Sequence, residues 1–277
     1  MIMPVSKEQA KFQIHQELNG IEMVEANYHH HNFSKHSHET YTINIIEQGC
    51  QRFLSAGKNF IAPEHSIIFV NADEVHTGQS GTQNGWSYRG ISPSESQFNK
   101  LASDIGFTHD FAPYFTNAVV EDKQMASELH FLFNTLTYSN NSLLRESMLY
   151  DVLTRLMLKH GKNTKQLKIL QTSNLKLSWV QQYIHEHLEE NVSLEHLANI
   201  TNFTPFHLVR QFQKCYGLPP HAYQIQQRLQ QSKRLLQQGN KVAQVAVQMG
   251  FYDQSHFHRH FKRANGIAPS QYARQVS

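Results

Sequence analysis

Three histidines in the first third of the chain have residue types and spacing that could bind a ligand. His36 and His38 are one residue apart, so on a β-strand both imidazoles would lie on one face, and His76 could approach from across a barrel. Such a set can hydrogen-bond a small molecule, stabilise the fold or bind a divalent metal ion. We favour the first and predict no metal, no cofactor and no catalytic residue. The further candidates for this pocket are Tyr41, Arg52 and Arg89, while Trp86 fits a pocket or a core equally.

A second group of residues, in the last third of the chain, has the side-chain types that read DNA. Arginine can bond guanine through two hydrogen bonds, glutamine can bond adenine, and apolar groups can contact the methyl group of thymine. The candidates are Phe206, His207, Val209, Arg210 and Gln211 in one segment and Gln254, Ser255, His256, His258, Arg259 and Lys262 in a later one. An arginine at such a place can also pack or contact phosphate.

The two segments occupy equivalent positions in an internal repeat. Leu208, Arg210, Phe212, Gly217, Pro220 and Tyr223 recur 49 residues later as Phe257, Arg259, Phe261, Gly266, Pro269 and Tyr272. In the first copy, Ser193 and Thr204 are predicted N-caps of two successive helices. In the second copy, Gly250 supplies the turn and Asp253 caps the second helix. Each copy therefore predicts a helix-turn-helix unit.

A continuous helix is predicted over His221–Gln238, between the two units. About 20 helical residues span about 30 Å at about 1.5 Å each. That length is close to the distance of about 34 Å between successive major-groove faces of DNA. One chain could therefore place both recognition helices in adjacent turns of a duplex.

The histidines must be positioned by strands. From Gly20 to Ser92, short β-branched and alternating runs are separated by turn residues, which predicts a small antiparallel barrel or sandwich. Beyond Pro93 the apolar residues recur at helical intervals. This spacing predicts two antiparallel helices over Glu121–Thr137 and Leu143–Lys159.

Charge is unevenly distributed along the 277 residues, whose net charge is +3. Residues 173–277 contain eleven Lys and Arg against five Asp and Glu, a net charge of +6, and the remainder carries −3. A basic module of this kind suggests a polyanionic partner such as DNA.

The chain has no apolar run near the roughly 18 residues needed to span a bilayer and no secretory pattern at its start. With Cys50 and Cys215 as its two cysteines, a reducing cytoplasm fits best.

The length predicts two domains, and a polar stretch containing four lysines separates them. We expect an α+β two-domain protein. Residues 1–160 form a β-barrel with two accessory helices, 161–176 form a linker, and 177–277 form an all-α double helix-turn-helix domain that binds DNA.

The region Leu177–Arg274 resembles the AraC/XylS family of transcriptional regulators. The motifs that carry this resemblance are Ser193-Leu-Glu-His-Leu-Ala198, Leu208-Val-Arg-Gln-Phe-Gln-Lys214, Gly250-Phe-Tyr-Asp-Gln-Ser255, Phe257-His-Arg-His-Phe-Lys262 and Gly266-Ile-Ala-Pro-Ser270. The resemblance implies that both helix-turn-helix units bind promoter DNA. It also implies a cupin-like effector-binding barrel, with helices 121–137 and 143–159 either forming a homodimer or only covering the barrel. Metal-binding cupins usually add a glutamate four residues after the second histidine, where this chain has Thr42, and Glu39 would point away on a regular strand.

The sequence therefore predicts a cytoplasmic, sequence-specific DNA-binding transcription regulator whose promoter binding is modulated by a small-molecule effector. It is not expected to be an enzyme, and an activator of this kind would contact RNA polymerase. Two alternatives stay open. One is a metal-dependent cupin-type enzyme with a DNA-binding tail, and the other is an architectural DNA-binding protein that needs no effector.

Overall fold

The structure is a computed structural model that describes residues 8–107, 112–163, 175–190 and 192–276, without the side chains of Asn163 and Phe206. The chain divides into two compact units. One comprises Met1–Asn32 and His38–Lys165, and the other comprises Phe33–Ser37 and Gln166–Ser277. The first is rich in strands and the second in helices, as the predicted fold class requires. Among the helices described, none has the length and apolar character needed to cross a membrane.

Antiparallel strands make up most of the N-terminal part of the fold. The strands are β1 (Gln9–His15), β2 (Ile21–Tyr28), β3 (Phe33–His36), β4 (Thr42–Ser55), β5 (Lys58–Pro63), β6 (Ile67–Val70), β7 (His76–Ser80), β8 (Trp86–Ser92), β9 (Pro113–Phe115), β10 (Val119–Val120) and β11 (Gly161–Asn163). The main sheet runs in the order β1-β2-β8-β4-β6-β10, while β5 and β7 pair with β4. The predicted strand region is confirmed, and β1 extends it to residues before Gly20.

Strand β4 is the centre of this arrangement because it pairs with four other strands. Its first half pairs with β6 and β8, and its second half pairs with β5 and β7. A register shift lies between Ile46 and Gln48 in the pairing with β8. Such a bulge adds a residue to one strand and changes which side chains face each side. The two halves of β4 therefore follow different alternation patterns.

One face of the sheet packs against three helices, α1 (Glu95–Asp104), α2 (Lys123–Tyr138) and α3 (Ser142–His160). Ile43, Ile45 and Ile91 are fully buried in this contact. The two predicted helices are confirmed to within two residues at each end, and their caps are the side chains of Asp122 and Asn141. Helix α1, which begins with a capping box at Ser94, was not predicted. We call the opposite side of the sheet the inner face.

The C-terminal unit is helical. Its helices are α4 (Leu175–Glu186), α5 (Leu194–Thr201), α6 (Pro205–Tyr216), α7 (Pro220–Gln237), α8 (Val242–Gln248), α9 (Gln254–Asn265) and α10 (Pro269–Val276). Ser193, Thr204 and Asp253 accept hydrogen bonds from backbone N–H groups three residues later, at 3.1, 3.3 and 2.6 Å. The three predicted N-caps and both helix-turn-helix units are therefore confirmed.

Helix α7 is the core of this unit, and Arg228 lies at its middle. Its side chain is buried and donates hydrogen bonds to the backbone carbonyls of Leu188 at 2.5 Å, Gly250 at 2.7 Å and Glu190 at 2.8 Å. Burial lowers the pKa of this guanidinium. Because those carbonyls lie between α4 and α5 and in the turn after α8, Arg228 links the segment before the first helix-turn-helix unit to the turn of the second.

The predicted linker, residues 161–176, begins and ends in regular structure. Gly161–Asn163 form β11, which pairs with β9, and Leu175 and Lys176 begin α4. Residues 164–174 lie outside the described part of the chain. The linker therefore stays a prediction for that segment.

Candidate functional site

Helix α6 presents the first set of predicted DNA-reading residues. Its inward side is formed by Leu208 and Phe212, which are fully buried and four residues apart. Of the predicted set, His207 and Arg210 are exposed, Val209 and Gln211 are half-buried, and the side chain of Phe206 lies outside the described residues. The helix thus has one face that anchors it and another that is accessible to a duplex.

Helix α9 repeats this arrangement with Phe257 and Phe261 fully buried on its inward side. The exposed members of its predicted set are Gln254, Ser255, His258, Arg259 and Lys262. His256 differs from them because it is half-buried and its ring lies 4.6 Å from the ring of His260. His256 therefore contributes to packing as well as to the surface of α9.

Electrostatics make the surface of α9 favourable for an anion. The pKa of the His260 imidazole is lowered, first by burial and then by nearby positive charge. The permanent positive charges that contribute are those of Arg259 and Arg263. A positive potential of this kind attracts the phosphate backbone of DNA.

Two of the three predicted histidines, His38 and His76, lie close together within the first unit. The rings of His38 and His76 are 5.1 Å apart. Burial lowers the pKa of His76 to about 4, partly opposed by the hydrogen bond to the Glu74 carbonyl, so this imidazole is neutral at pH 7. A neutral imidazole keeps one nitrogen lone pair that can accept a hydrogen bond or bind a metal.

Tyr41, Arg52 and Arg89 are placed elsewhere. The Tyr41 hydroxyl donates to the carbonyl of Pro113 at 2.8 Å, and its ring belongs to the core beneath the helices. Arg52 is exposed. Arg89 Nε donates to Glu47 at 2.5 Å, and its other nitrogens contact Asn134 at 2.7 Å and His130 at 3.0 Å. The structure thus does not place these three side chains with the histidines.

Strand register places a further set of residues on the inner face. Trp86 pairs with both Tyr28 and Gly49, and Gln51 lies two residues beyond Gly49 on β4. Directly paired residues point to the same side of a sheet, as do alternate residues of one strand. Asn44, paired with Gly90 before the bulge, faces the same side. His76, paired with Ser55, also belongs to this face.

Three polar atoms of the inner face are buried without a hydrogen-bond partner among the described residues: Asn44 Oδ1, Gln51 Oε1 and Trp86 Nε1. Their residues are only 8%, 9% and 1% exposed. An unpaired buried polar group costs about 1–3 kcal/mol, so its presence calls for an explanation. A bound molecule would supply the missing partners. Asn44 and Gln51 were not predicted as site residues; Asn44 is a polar residue among the isoleucines of β4, whereas Gln51 lies next to other polar residues.

Family models match most of the chain. Residues 18–153 match the AraC-like ligand binding domain, and residues 197–275 match a helix-turn-helix domain. The "Uncharacterized HTH-type transcriptional regulator YbfI" of Bacillus subtilis is 30% identical over 226 residues, which cover 81% of each protein. The Msm operon regulatory protein of Streptococcus mutans is 25% identical over 251 residues, covering 86% of this chain and 85% of that one.

Solved structures of ToxT from Vibrio cholerae have a similar fold. An apo variant superposes with a TM-score of 0.60 at 16% identity, covering 93% of this chain and 98% of ToxT. The wild-type protein bound to an unsaturated fatty acid gives a TM-score of 0.58 at 15% identity, covering 100% and 98%. From the matched domains and the relatives, the chain belongs to the AraC family of transcriptional regulators, with an N-terminal ligand-binding domain and a C-terminal helix-turn-helix domain.

Proposed function

We propose that this regulator reads promoter DNA with α6 and α9 in two adjacent major grooves. The observation that carries this proposal is the repeated construction of the two helices. Each is capped by a side chain, anchored by two buried residues four apart, and carries an arginine at the equivalent position, Arg210 or Arg259. The connecting helix α7 has 18 residues and so spans about 27 Å, which suits half-sites about one turn apart.

The test is footprinting of the full chain on the DNA upstream of its own gene, at several salt concentrations. We expect protection of two major-groove segments on one face of the duplex, with centres about 10 base pairs apart. Affinity should fall steeply as salt rises, because binding releases counterions from the phosphates. Protection of a single groove, or binding that does not respond to salt, would contradict the proposal.

For the N-terminal unit, we propose that the effector binds at the inner face. Asn44, Gln51 and Trp86 supply unpartnered hydrogen-bonding atoms, while Tyr28 and Phe53 supply apolar surface. Amide and indole groups suit an uncharged molecule with hydrogen-bonding groups. The inner-face His76 and its neighbour His38 stay proposed contacts, and the effector roles of His36, Tyr41, Arg52 and Arg89 stay predictions.

Replacing Gln51 by leucine should weaken effector binding about 2- to 10-fold, because one hydrogen bond is worth about 0.5–1.5 kcal/mol net. The probe is the metabolite that most raises the melting temperature of the wild-type protein in a thermal-shift screen. Arg52→Ala is the matched control, since it changes the next residue of β4, whose side chain is exposed. If Arg52→Ala weakens binding and Gln51→Leu does not, the effector binds outside the inner face.

We also propose a homodimer formed through α2 and α3. Large apolar side chains are exposed on both helices, notably Phe131 at 56%, Tyr138 at 80% and Leu143 at 71%. Exposed apolar surface of this kind is typical of a protein interface. The other sides of α2 and α3 pack on the sheet, so covering the barrel and dimerisation are compatible.

The proposed activity is binding and not catalysis, since the relatives are named as transcriptional regulators. Its compartment is the cytoplasm, where bacterial DNA lies. Where the protein acts as an activator, it contacts RNA polymerase. None of these roles requires the residues of the inner face to catalyse a reaction.

A further inference from the structure

His15 is a buried histidine at the end of β1, where the chain turns towards β2. It is 6% exposed, and its Nδ1 accepts a hydrogen bond from Nη2 of Arg145, in the first turn of α3. Arg145 Nη1 lies 2.7 Å from Oε1 of Glu17, in the 3₁₀ turn Gln16–Leu18 that joins β1 to β2. Arg145 therefore ties the start of α3 to this connecting turn, within the first unit.

The hydrogen bond from Arg145 determines the protonation state of His15. A guanidinium group can only donate, so His15 Nδ1 carries the lone pair and Nε2 carries the proton. Nε2 is buried without a hydrogen-bond partner among the described residues. A second proton, on Nδ1, would place one N–H group against another, and neither could accept. The contact thus exists only while the imidazole is neutral.

The groups around His15 favour this neutral form. The charged groups that face it are Arg145 of α3 and Glu17 of the connecting turn, whose Oε1 is 3.9 Å from His15 Nδ1. Ile21, paired with His15 on β2, is uncharged, as is Gln97 of α1, which donates to a carbonyl of the same turn at 3.1 Å. Burial first and Arg145 second lower the pKa of His15, whereas Glu17 raises it. A protonated His15 would therefore repel Arg145 and compete with it for Glu17.

The start of α3 has little buried side-chain surface apart from this contact. Of the seven described residues from Ser142 to Met148, Arg145 and Met148 are half-buried and the other five are exposed. The fully buried side chains of α3 begin at Leu149. Because most of the stability of a helix in a protein comes from packing, loss of the Arg145 contact should loosen these first two turns while the later turns stay packed.

We propose that His15 and Arg145 form an acid-sensitive latch, in which protonation of His15 breaks its contact with Arg145 and releases residues 142–148 of α3. The released segment includes Leu143, which is 71% exposed and belongs to the surface proposed for the homodimer. Acid would therefore weaken the association of two copies. This consequence rests on the proposed homodimer, whereas the latch itself does not.

Hydrogen exchange of the full chain, followed by mass spectrometry, measures the release. Exchange in residues 142–148 is compared at about pH 7.5 and about pH 5.5, after correction for the intrinsic exchange rate at each pH. We expect the corrected rate of the wild type to rise by up to about 10-fold at the lower pH. One proton shifts an opening equilibrium by at most about 10-fold for each pH unit below the ordinary pKa of 6.5.

Three variants make the test specific to the latch. His15→Gln offers an amide oxygen that can accept from Arg145 at either pH, so its corrected rate should stay low. Arg145→Met lacks the contact at both pH values, so its rate should be high at both. His30→Gln is the matched control, because it removes an exposed histidine of the same unit, and it should respond like the wild type.

Circular dichroism at the higher pH shows which variants are folded, and Arg145→Met carries the test if His15→Gln is not. Equal corrected rates of the wild type at the two pH values, or an acid response that persists in folded His15→Gln or Arg145→Met, would show that the proposal is wrong. Sedimentation at both pH values tests the consequence for association. An acid response in exchange without a change in mass supports the latch and contradicts the homodimer.

Discussion

Replacing Arg228 by alanine is expected to unfold much of the C-terminal unit and so to abolish DNA binding. The guanidinium is 4% exposed and holds the carbonyls of Leu188, Glu190 and Gly250. The carbonyls of Leu188 and Gly250 lose this donor, whereas that of Glu190 still accepts from Gln224 Nε2 at 2.9 Å, so at about 1–3 kcal/mol for each unpaired carbonyl the loss should reach at least about 2 kcal/mol. That is a large part of the roughly 5–15 kcal/mol that stabilises a typical protein. Urea unfolding followed by circular dichroism measures the change.

Two variants separate this effect from loss of charge. Arg234→Ala removes an exposed arginine of the same helix and should leave the unfolding midpoint unchanged. Arg228→Lys keeps the charge but lacks the planar fork that serves several carbonyls at once, so it should be intermediate. An unchanged midpoint in Arg228→Ala together with lost DNA binding would show instead that Arg228 contacts DNA.

The second large effect concerns the equivalent arginines of α6 and α9. Arg259→Ala should weaken protection of one half-site and Arg210→Ala should weaken protection of the other. A bidentate contact to a base is worth about 1–3 kcal/mol, which corresponds to about 5- to 150-fold in affinity. Quantitative footprinting of each variant on the same promoter fragment measures both half-sites together.

The control for this pair is Arg274→Ala, which removes an exposed arginine from α10, outside both recognition helices. It should leave the balance between the half-sites unchanged. If Arg210→Ala and Arg259→Ala each weaken both half-sites equally, these arginines contact phosphates or support the fold and do not read bases.

The C-terminal unit could be predicted closely because its signals are local. Ser193, Thr204 and Asp253 are cap residues whose partners lie three residues later, and each cap is present. The 49-residue repeat added independent support, since the same order of residue types appears twice. Burial within a helix follows a fixed period, so the inward residues of α6, α7 and α9 could be identified without knowing their neighbours.

The proposed ligand site was harder to predict because it depends on the pairing of strands that are distant in sequence. Simple alternation along β4 from Asn44 would place Arg52 on the inner face and Gln51 outside. The bulge between Ile46 and Gln48 reverses this pattern, so Gln51 is buried and Arg52 is exposed. Arg89 likewise lies one residue from Gly90 and therefore on the opposite face. The sequence contains no local signal for the position of that bulge.

Strand β4 also determines how a molecule bound at the inner face could influence the rest of its unit. Its second half carries Gln51, and its first half carries Ile43 and Ile45, which pack beneath the helices. A strand of 14 residues has a contour of about 45 Å, and no loop interrupts it. We expect a displacement at one end of β4 to reach the residues that support α2 and α3. A chimera that joins this barrel to an unrelated DNA-binding domain should therefore keep the coupling between the inner face and helices α2 and α3.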